Sequence, residues 1–282
     1  MLETIGYQPR MATWAAARDA TLGRVIRVDQ GVVVVLSERG PLRCTYGGRL
    51  LGKVAANPQH APCAGDWCVV QEWPDHRLTV AEVLPRSSTV LRPAGPGSAA
   101  PRALCANADL VAVVVAARPA APPATLRRLV ALAQESGARP LVVLTTAAPA
   151  TERVREDPFG AAAGLEVVHT STGTEAGLGR LRELVDGHRT LALVGLRGHG
   201  KSALTDALVG AEVLPARPVR GGGGRSRTVR RELVPLPGGG AVIDTRGLTA
   251  AELSGEPAAP LAGPRRAHGV SRPPRAASGG PA

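Results

Sequence analysis

The chain is short of rings. Its 282 residues hold three Trp, two Tyr and one Phe, so aromatics make up 2% of it. Any core must therefore be aliphatic, and the side chains that a base-stacking platform needs are scarce. Cysteine is equally sparse, with Cys44, Cys63, Cys68 and Cys105 the full complement. The N-terminal stretch 1–18 has no signal-peptide apolar region, so disulfides are not expected. Cys63 and Cys68 have no His at zinc-finger spacing, and all four cysteines read as small core residues. No run of eighteen apolar residues occurs, which argues against a spanning helix and for a cytoplasmic protein. Acidic residues are outnumbered, 23 against 34 Lys and Arg, for a net charge of +11. Such an excess suits a polyanionic partner, because Lys and Arg release counterions from nucleic-acid phosphates. Heavy use of Ala, Arg, Gly and Pro, as GC-rich coding DNA would produce, accounts for the charge just as well.

A chain of this length can hold one large domain or two small ones. Residues 22–28, 31–36, 42–46, 66–73 and 78–84 read as short strands, with Gly40-Pro41 and Pro74-Asp75 supplying reversals. Five such strands fit a small closed barrel of the OB-fold kind, which serves either as an oligonucleotide surface or as a plain structural module. Beyond the Pro/Gly-rich hinge at 92–97 the pattern alternates. Strands are expected at 110–116, 141–144, 165–168 and 191–194. One helix carries Leu126, Leu129, Val130 and Ala133 on a single face and stops near Gly137, and another carries Leu178, Leu181, Leu184 and Val185. This is the signature of a doubly wound parallel sheet.

Within that sheet, Gly195-Leu196-Arg197-Gly198-His199-Gly200-Lys201-Ser202 spells the complete phosphate-binding pattern G-x-x-x-x-G-K-[ST]. It follows the apolar run 191–194 and precedes a helical pattern, the context in which the motif has a mechanism. Backbone N–H groups can turn inward around phosphates and the helix N-terminus adds its dipole. Lys201 can reach the outer phosphates, and the Ser202 hydroxyl can ligate magnesium. A glycine-rich turn that binds nothing is the rival reading. A phosphate loop normally opens such a domain, yet here strand and helix units precede it and little usable strand follows Gly247. The order implies a circular permutation.

At this point the residues resemble the circularly permuted ribosome-biogenesis GTPases of the RsgA (YjeQ) type, over about residues 23–248. The likeness rests on Gly65-Asp66-Trp67 and Trp73-Pro74-Asp75, on Ala106-Asn107-Ala108-Asp109, and on the phosphate loop. Downstream it is carried by 231–240 and by Ile243-Asp244-Thr245-Arg246-Gly247. It implies an α/β protein: a small OB-fold-like β-barrel (21–92) followed by a circularly permuted P-loop GTPase domain with a doubly wound sheet (93–248). Residues 1–20 read as an N-terminal extension, and the composition of 249–282 reads as a disordered Pro/Ala/Arg-rich tail where the family has a zinc-binding segment. The resemblance further implies GTP and Mg2+ as ligands, the small ribosomal subunit and its 16S rRNA as partners, a monomer, and no membrane or DNA. The contacts it implies for the nucleotide are Gly195, Gly198, His199, Gly200, Lys201, Ser202 and Ala203. His199 occupies a variable position of the loop, and the other histidines have no visible carboxylate partner.

Several family positions differ in this chain. The guanine-recognition motif, Asn or Thr-Lys-x-Asp, falls on Thr145-Thr146-Ala147-Ala148, with Ala148 replacing the aspartate and Thr146 the lysine. Discrimination between bases should fall accordingly. The supporting loop falls on Ser171-Thr172, expected to offer a backbone amide. The switch reads Arg225-Ser226-Arg227-Thr228-Val229. Thr228 keeps the magnesium and γ-phosphate role, and Ser226 stands where the family has histidine. Asp244 is the expected magnesium-side carboxylate and Gly247 the γ-phosphate amide, giving Thr228, Asp244 and Gly247 as catalytic and Ser202, Thr228 and Asp244 as metal-side residues. Arg246 replaces a proline, and no Gln follows Gly247, so intrinsic hydrolysis should be slow. The family's Cys, Cys, His, Cys cluster has no counterpart in 249–282, so zinc is not expected. Two rivals remain: a non-hydrolysing RNA-binding scaffold and a nucleotidase of relaxed base preference.

Overall fold

The computed structural model describes residues 2–8, 11, 20–93, 100–117, 121–146, 164–171, 174–210 and 232–253. The N-terminal unit is a five-stranded barrel: β1 (Thr21–Asp29), β2 (Val32–Ser37), β3 (Gly40–Tyr46), β4 (Trp67–Glu72) and β5 (Leu78–Val83). The strands run in the order β1-β2-β3-β5-β4, and β4 pairs back onto β1 to close the barrel. Only β3–β5 is parallel. Closure removes the exposed edges that short strands would otherwise present. Val25, Val33, Val35, Cys44, Cys68, Val70 and Val80 fill the interior. A helix between β3 and β4, α1 (Gly48–Ala56), inserts Leu50 into the same core. Periodicity does not announce this helix, because two of its nine residues are glycine and only Leu50 is fully buried.

The expected hinge is flanked by a short antiparallel ribbon, β6 (Thr89–Arg92) with β7 (Arg102–Ala106). A larger sheet follows: β8 (Leu110–Ala116), β9 (Arg139–Thr146), β10 (Glu166–Ser171), β11 (Thr190–Val194), β12 (Glu232–Pro235) and β13 (Ala241–Asp244). Its helices are α2 (Pro123–Gln134), α3 (Leu178–Val185), α4 (Lys201–Val209) and α5 (Ala250–Leu253). The order is β10-β9-β8-β11-β13-β12, parallel except for the β12–β13 pair. Side chains alternate between faces along each strand. In β8, Val111, Val113 and Val115 join Leu126 and Leu129 of α2 in one core, whereas Leu110, Ala112 and Val114 join Leu181 of α3 and Leu204 of α4 in the other. Helices therefore cover both faces, which is why β8 reads as an unbroken apolar run.

The order makes the permutation explicit. Within this sheet β8, β9 and β10, which precede β11, lie on one side of it, and β13 and β12, which follow, lie on the other, so the winding reverses between β8 and β11. The crevice outside the carboxyl ends at such a reversal is where open α/β sheets bind ligands.

Barrel and sheet share a core in which Leu22, Leu36, Trp67 and Val69 meet Val111, Val113 and Ile243. Arg24 of β1 is buried at their junction. It donates from Nε to the Gly65 carbonyl (3.2 Å), from one terminal nitrogen to the Ile5 carbonyl and Thr190 Oγ1 (2.9 Å), and from the other to the Asn107 carbonyl (2.9 Å). Its guanidinium also lies 5.3 Å from the Trp67 ring centre. Nearby, buried Asp66 receives a two-pronged ion pair from Arg86 (2.7 and 2.8 Å). The residues 249–253, expected to begin a disordered tail, instead include α5, whose first turn is capped by Thr249 and Glu252 (Glu252 N to Thr249 Oγ1 3.3 Å; Thr249 N to Glu252 carboxylate 2.8 Å). Residues 254–282 lie outside the described set. Among the described residues no helix is long and apolar enough to cross a membrane.

Candidate nucleotide-binding site

The phosphate loop leaves β11 at the point where the winding reverses and enters α4 at Lys201. Gly200, the residue before the helix, has φ +85°, and a Cβ there would press on Thr145 Oγ1 at 3.2 Å, so both backbone and space call for glycine. Gly195, Gly198, His199 and Ala203 complete the turn into α4. Lys201 is 5% exposed, and its ammonium donates to the Gly195 (3.1 Å) and Leu196 (2.8 Å) carbonyls on the inner rim of the loop. Burial lowers its pKa to about 8, with Asp244 opposing the shift. A cation held at the cost of desolvation is a strong attractor for phosphate oxygens.

Ser202 Oγ donates to Asp244 Oδ2 at 2.7 Å, joining the start of α4 to the end of β13. A hydroxyl beside a carboxylate is a hard-oxygen donor set of the kind magnesium takes next to phosphates, so these two residues fit that ion. Thr245 Oγ1 donates to the Leu193 carbonyl (2.6 Å), fixing the turn that follows Asp244.

Gly247 lies directly against the loop. A Cβ on it would meet Arg197 Cα, Cγ and N at 2.5–2.6 Å, so this approach requires glycine. Arg197 N–H donates to the Leu248 carbonyl (3.2 Å), and Leu248 N–H donates to the Gly195 carbonyl (3.0 Å). The segment 244–248 is thus zipped to the phosphate loop by a short parallel bridge.

The segments expected to read the base sit at the same end of the sheet. Thr145 Oγ1 donates to the His199 carbonyl (3.0 Å), tying the end of β9 to the phosphate loop, and also lies 3.3 Å from the Val115 carbonyl. Thr146 is in register with Ser171 on β10. The Ser171 amide donates to the Ala176 carbonyl (3.2 Å), and the other amide of the expected loop, that of Thr172, lies outside the described residues. Ala148, Thr172 and Thr228 lie outside the described residues, as does the switch around Ser226. Of the expected site residues, the structure brings together the loop, Asp244, Gly247, Thr145, Thr146 and Ser171.

Two features escape motif reading. His199 folds its ring toward β8, where Nδ1 accepts a weak bond from Ala116 N–H (3.4 Å), and burial followed by the Lys201 charge lowers its pKa. The second is an ionic cluster, Arg92–Glu252–Arg246, attached to the Gly247 segment. Its only sequence signal is the capping-box spacing Thr249-x-x-Glu252.

A family model described as RsgA GTPase matches residues 83–254, more than half of the chain and the whole of the site just described. The chain belongs to the RsgA GTPase family. Curated relatives agree. The small ribosomal subunit biogenesis GTPase RsgA of Streptomyces avermitilis is 37% identical over 233 residues, covering 80% of this chain and 61% of the relative. That of Streptomyces coelicolor is 36% identical over 240 residues, covering 83% and 64%. The match thus spans less than two thirds of the length of these two relatives. For the RsgA of Gemmatimonas aurantiaca the figures are 35% over 244 residues, 84% and 78%. Two solved structures share the fold. YjeQ from Thermotoga maritima has a TM-score of 0.53 at 21% identity, covering 81% of this chain and 75% of that one. YloQ, described as a circularly permuted GTPase, has 0.50 at 23%, covering 81% and 71%.

Proposed function

We propose that this RsgA-family chain binds GTP with Mg2+, hydrolyses it slowly alone and faster on the small ribosomal subunit, and acts in the cytoplasm late in small-subunit maturation through 16S rRNA contacts, as a monomer. The observation that carries the phosphate half of this reading is the convergence of Lys201, Ser202 and Asp244 on one loop at the reversal of the sheet. The ribosomal half rests on the names of the relatives.

The chain's own groups divide the work. The Lys201 ammonium exchanges loop carbonyls for phosphate oxygens, and the backbone N–H groups from Gly198 to Ala203 turn toward the phosphates at the α4 N-terminus. Gly247 offers its amide to the γ-phosphate, and Thr228 adds its hydroxyl from the switch. Magnesium, held by Ser202 and Thr228 with Asp244 behind them, would neutralise charge on the outer phosphates. With Ala148 and Thr146 at the base-reading positions, preference for guanine is weaker than the family motif would give.

The test is affinity for a fluorescent GTP analogue with magnesium, followed by turnover with and without purified small subunits. Lys201→Ala should weaken binding by about 2 kcal/mol or more, the scale of a charged hydrogen bond, and equal binding would remove the nucleotide site. Subunits should raise turnover, and their binding should weaken steeply with salt. Retained subunit binding without faster turnover would make the chain a non-hydrolysing scaffold. No subunit binding at low salt would end the ribosomal reading.

A further inference from the structure

We infer that Glu252 is a positioning residue for the γ-phosphate-reading segment: acting through Arg246, it holds residues 244–248 docked on the phosphate loop and so sets the preference for a triphosphate over a diphosphate. The inference rests on the nucleotide-binding reading above. Arg246 is the residue between Thr245 and Gly247, and its side chain is 10% exposed. Its guanidinium donates to Glu252 Oε1 at 2.5 Å, and Arg92 of β6 donates to the same oxygen at 3.2 Å. The other oxygen, Oε2, accepts from Thr249 N–H (2.8 Å) and Thr249 Oγ1 (3.1 Å). Both carboxylate oxygens are therefore engaged, and Glu252 is fixed from three directions. α5, which carries it, is itself moored to α2, because Arg128 Nε donates to the Leu253 carbonyl (3.2 Å) and the Leu253 side chain is buried.

The arm of Arg246 thus hangs from an anchor that does not belong to the phosphate site, while the backbone beside it is bridged to the loop through Leu196 and Leu248. Docking brings Gly247 against Arg197, on the same stretch 195–197 whose carbonyls hold the Lys201 ammonium. Gly247 is the residue expected to offer its amide to the γ-phosphate, so this docked position is assigned to the triphosphate-bound state. Arg246 Nε is buried with no acceptor among the described residues, so the docked arm leaves one donor unsatisfied and its release is not opposed by a full set of bonds. A tie that holds without saturating is suited to a segment that must let go once the γ-phosphate is lost. The proline of the family pattern at this position has no side chain to make the tie.

The experiment uses the full chain. Dissociation constants for Mg·GDP and for a non-hydrolysable Mg·GTP analogue are measured for wild type, Glu252→Gln, Arg246→Gln and the double variant. Each single variant should bind the GTP analogue about tenfold more weakly, the scale of one charged hydrogen bond, with GDP affinity changed by less than about twofold. The double variant should be no worse than either single, since both remove the same tie. Equal weakening of both nucleotides, or no change in their ratio, would reduce Glu252 to a fold-supporting residue and overturn the inference. If Glu252→Gln fails to fold, Arg246→Gln alone decides, because it leaves the Arg92 and Thr249 bonds of the anchor in place. A wild type that binds neither nucleotide would instead overturn the nucleotide-binding reading and this inference with it.

Discussion

Replacing Arg24 by Met separates the cost of burying a charge from the worth of the bonds it makes. Burial lowers the Arg24 pKa from 12.5 to about 10, against the fields of Asp109 and Asp66. At 1.36 kcal/mol per unit, holding the charged form there costs about 3 kcal/mol, which Met would recover. Met keeps an apolar stem but donates nothing. The Gly65 carbonyl would keep its bond from Asn107 Nδ2 (3.1 Å), whereas the Ile5 carbonyl, the Asn107 carbonyl and Thr190 Oγ1 would lose their Arg24 donors. Orphaning these three acceptors, two buried and one half-buried, costs about 1–3 kcal/mol each, roughly 6 kcal/mol together. The net expectation is a loss of about 3 kcal/mol, or a fall in Tm of about 5 °C for a chain of this size. Urea unfolding followed by far-UV circular dichroism and by tryptophan fluorescence would measure it, since Trp67 lies against the Arg24 guanidinium. Arg24→Lys, which keeps a charge but cannot span the acceptors, should lose a similar amount. Stability of Arg24→Met equal to or above wild type would refute the argument, because relief of desolvation would then exceed the worth of the bonds.

Restoring Thr146→Lys together with Ala148→Asp should raise the preference for GTP over ATP. If the unmodified chain already prefers GTP by about a thousandfold in competition binding, another segment reads the base. Glu252 makes an acid-stability prediction. Burial pushes its carboxyl up, but the bonds from Arg246 and Thr249 outweigh this and hold it down to about 2, against the usual 4.5. Its contribution is therefore present above about pH 4.5 and lost as the pH falls through about 2. Glu252→Gln should be less stable than wild type by about 2 kcal/mol at neutral pH, on the scale of hydrogen bonds to charged groups, and denaturant midpoints of the two should converge as the pH approaches 2. Chelating magnesium should weaken GTP-analogue binding to wild type much more than to Ser202→Ala, and equal sensitivity would remove Ser202 from the metal side.

The five barrel strands were legible because short apolar runs fall between turn signals such as Gly40-Pro41 and Pro74-Asp75, and the parallel strands because β8 and β11 are buried on both faces and read as apolar runs. α1 was not, since its burial hangs on Leu50 alone. The β6–β7 ribbon hid beside the Pro/Gly-rich stretch 93–97, which reads as a break rather than as the connection between two paired strands. In the site, Lys201 and Ser202 were legible because the spacing of the phosphate loop encodes a mechanism, whereas Asp244 was pointed to only by the family resemblance. The Arg92–Glu252–Arg246 cluster was not, because it joins residues 160 positions apart that no local pattern relates.

Because β11 forms between β8 and β13, the order of synthesis matters to folding. β8, with the sequence Leu-Val-Ala-Val-Val-Val-Ala, has its partner β9 on one side available once residue 146 has been made. Its other side waits until Thr190 and the residues after it have been made. At about 5–20 residues per second, this wholly apolar strand has one open edge for several seconds, the kind that recruits foreign strands. Permutation therefore adds an aggregation hazard to the nascent chain that the finished molecule does not carry at β8, and added chaperone capacity during synthesis should raise the yield of folded protein.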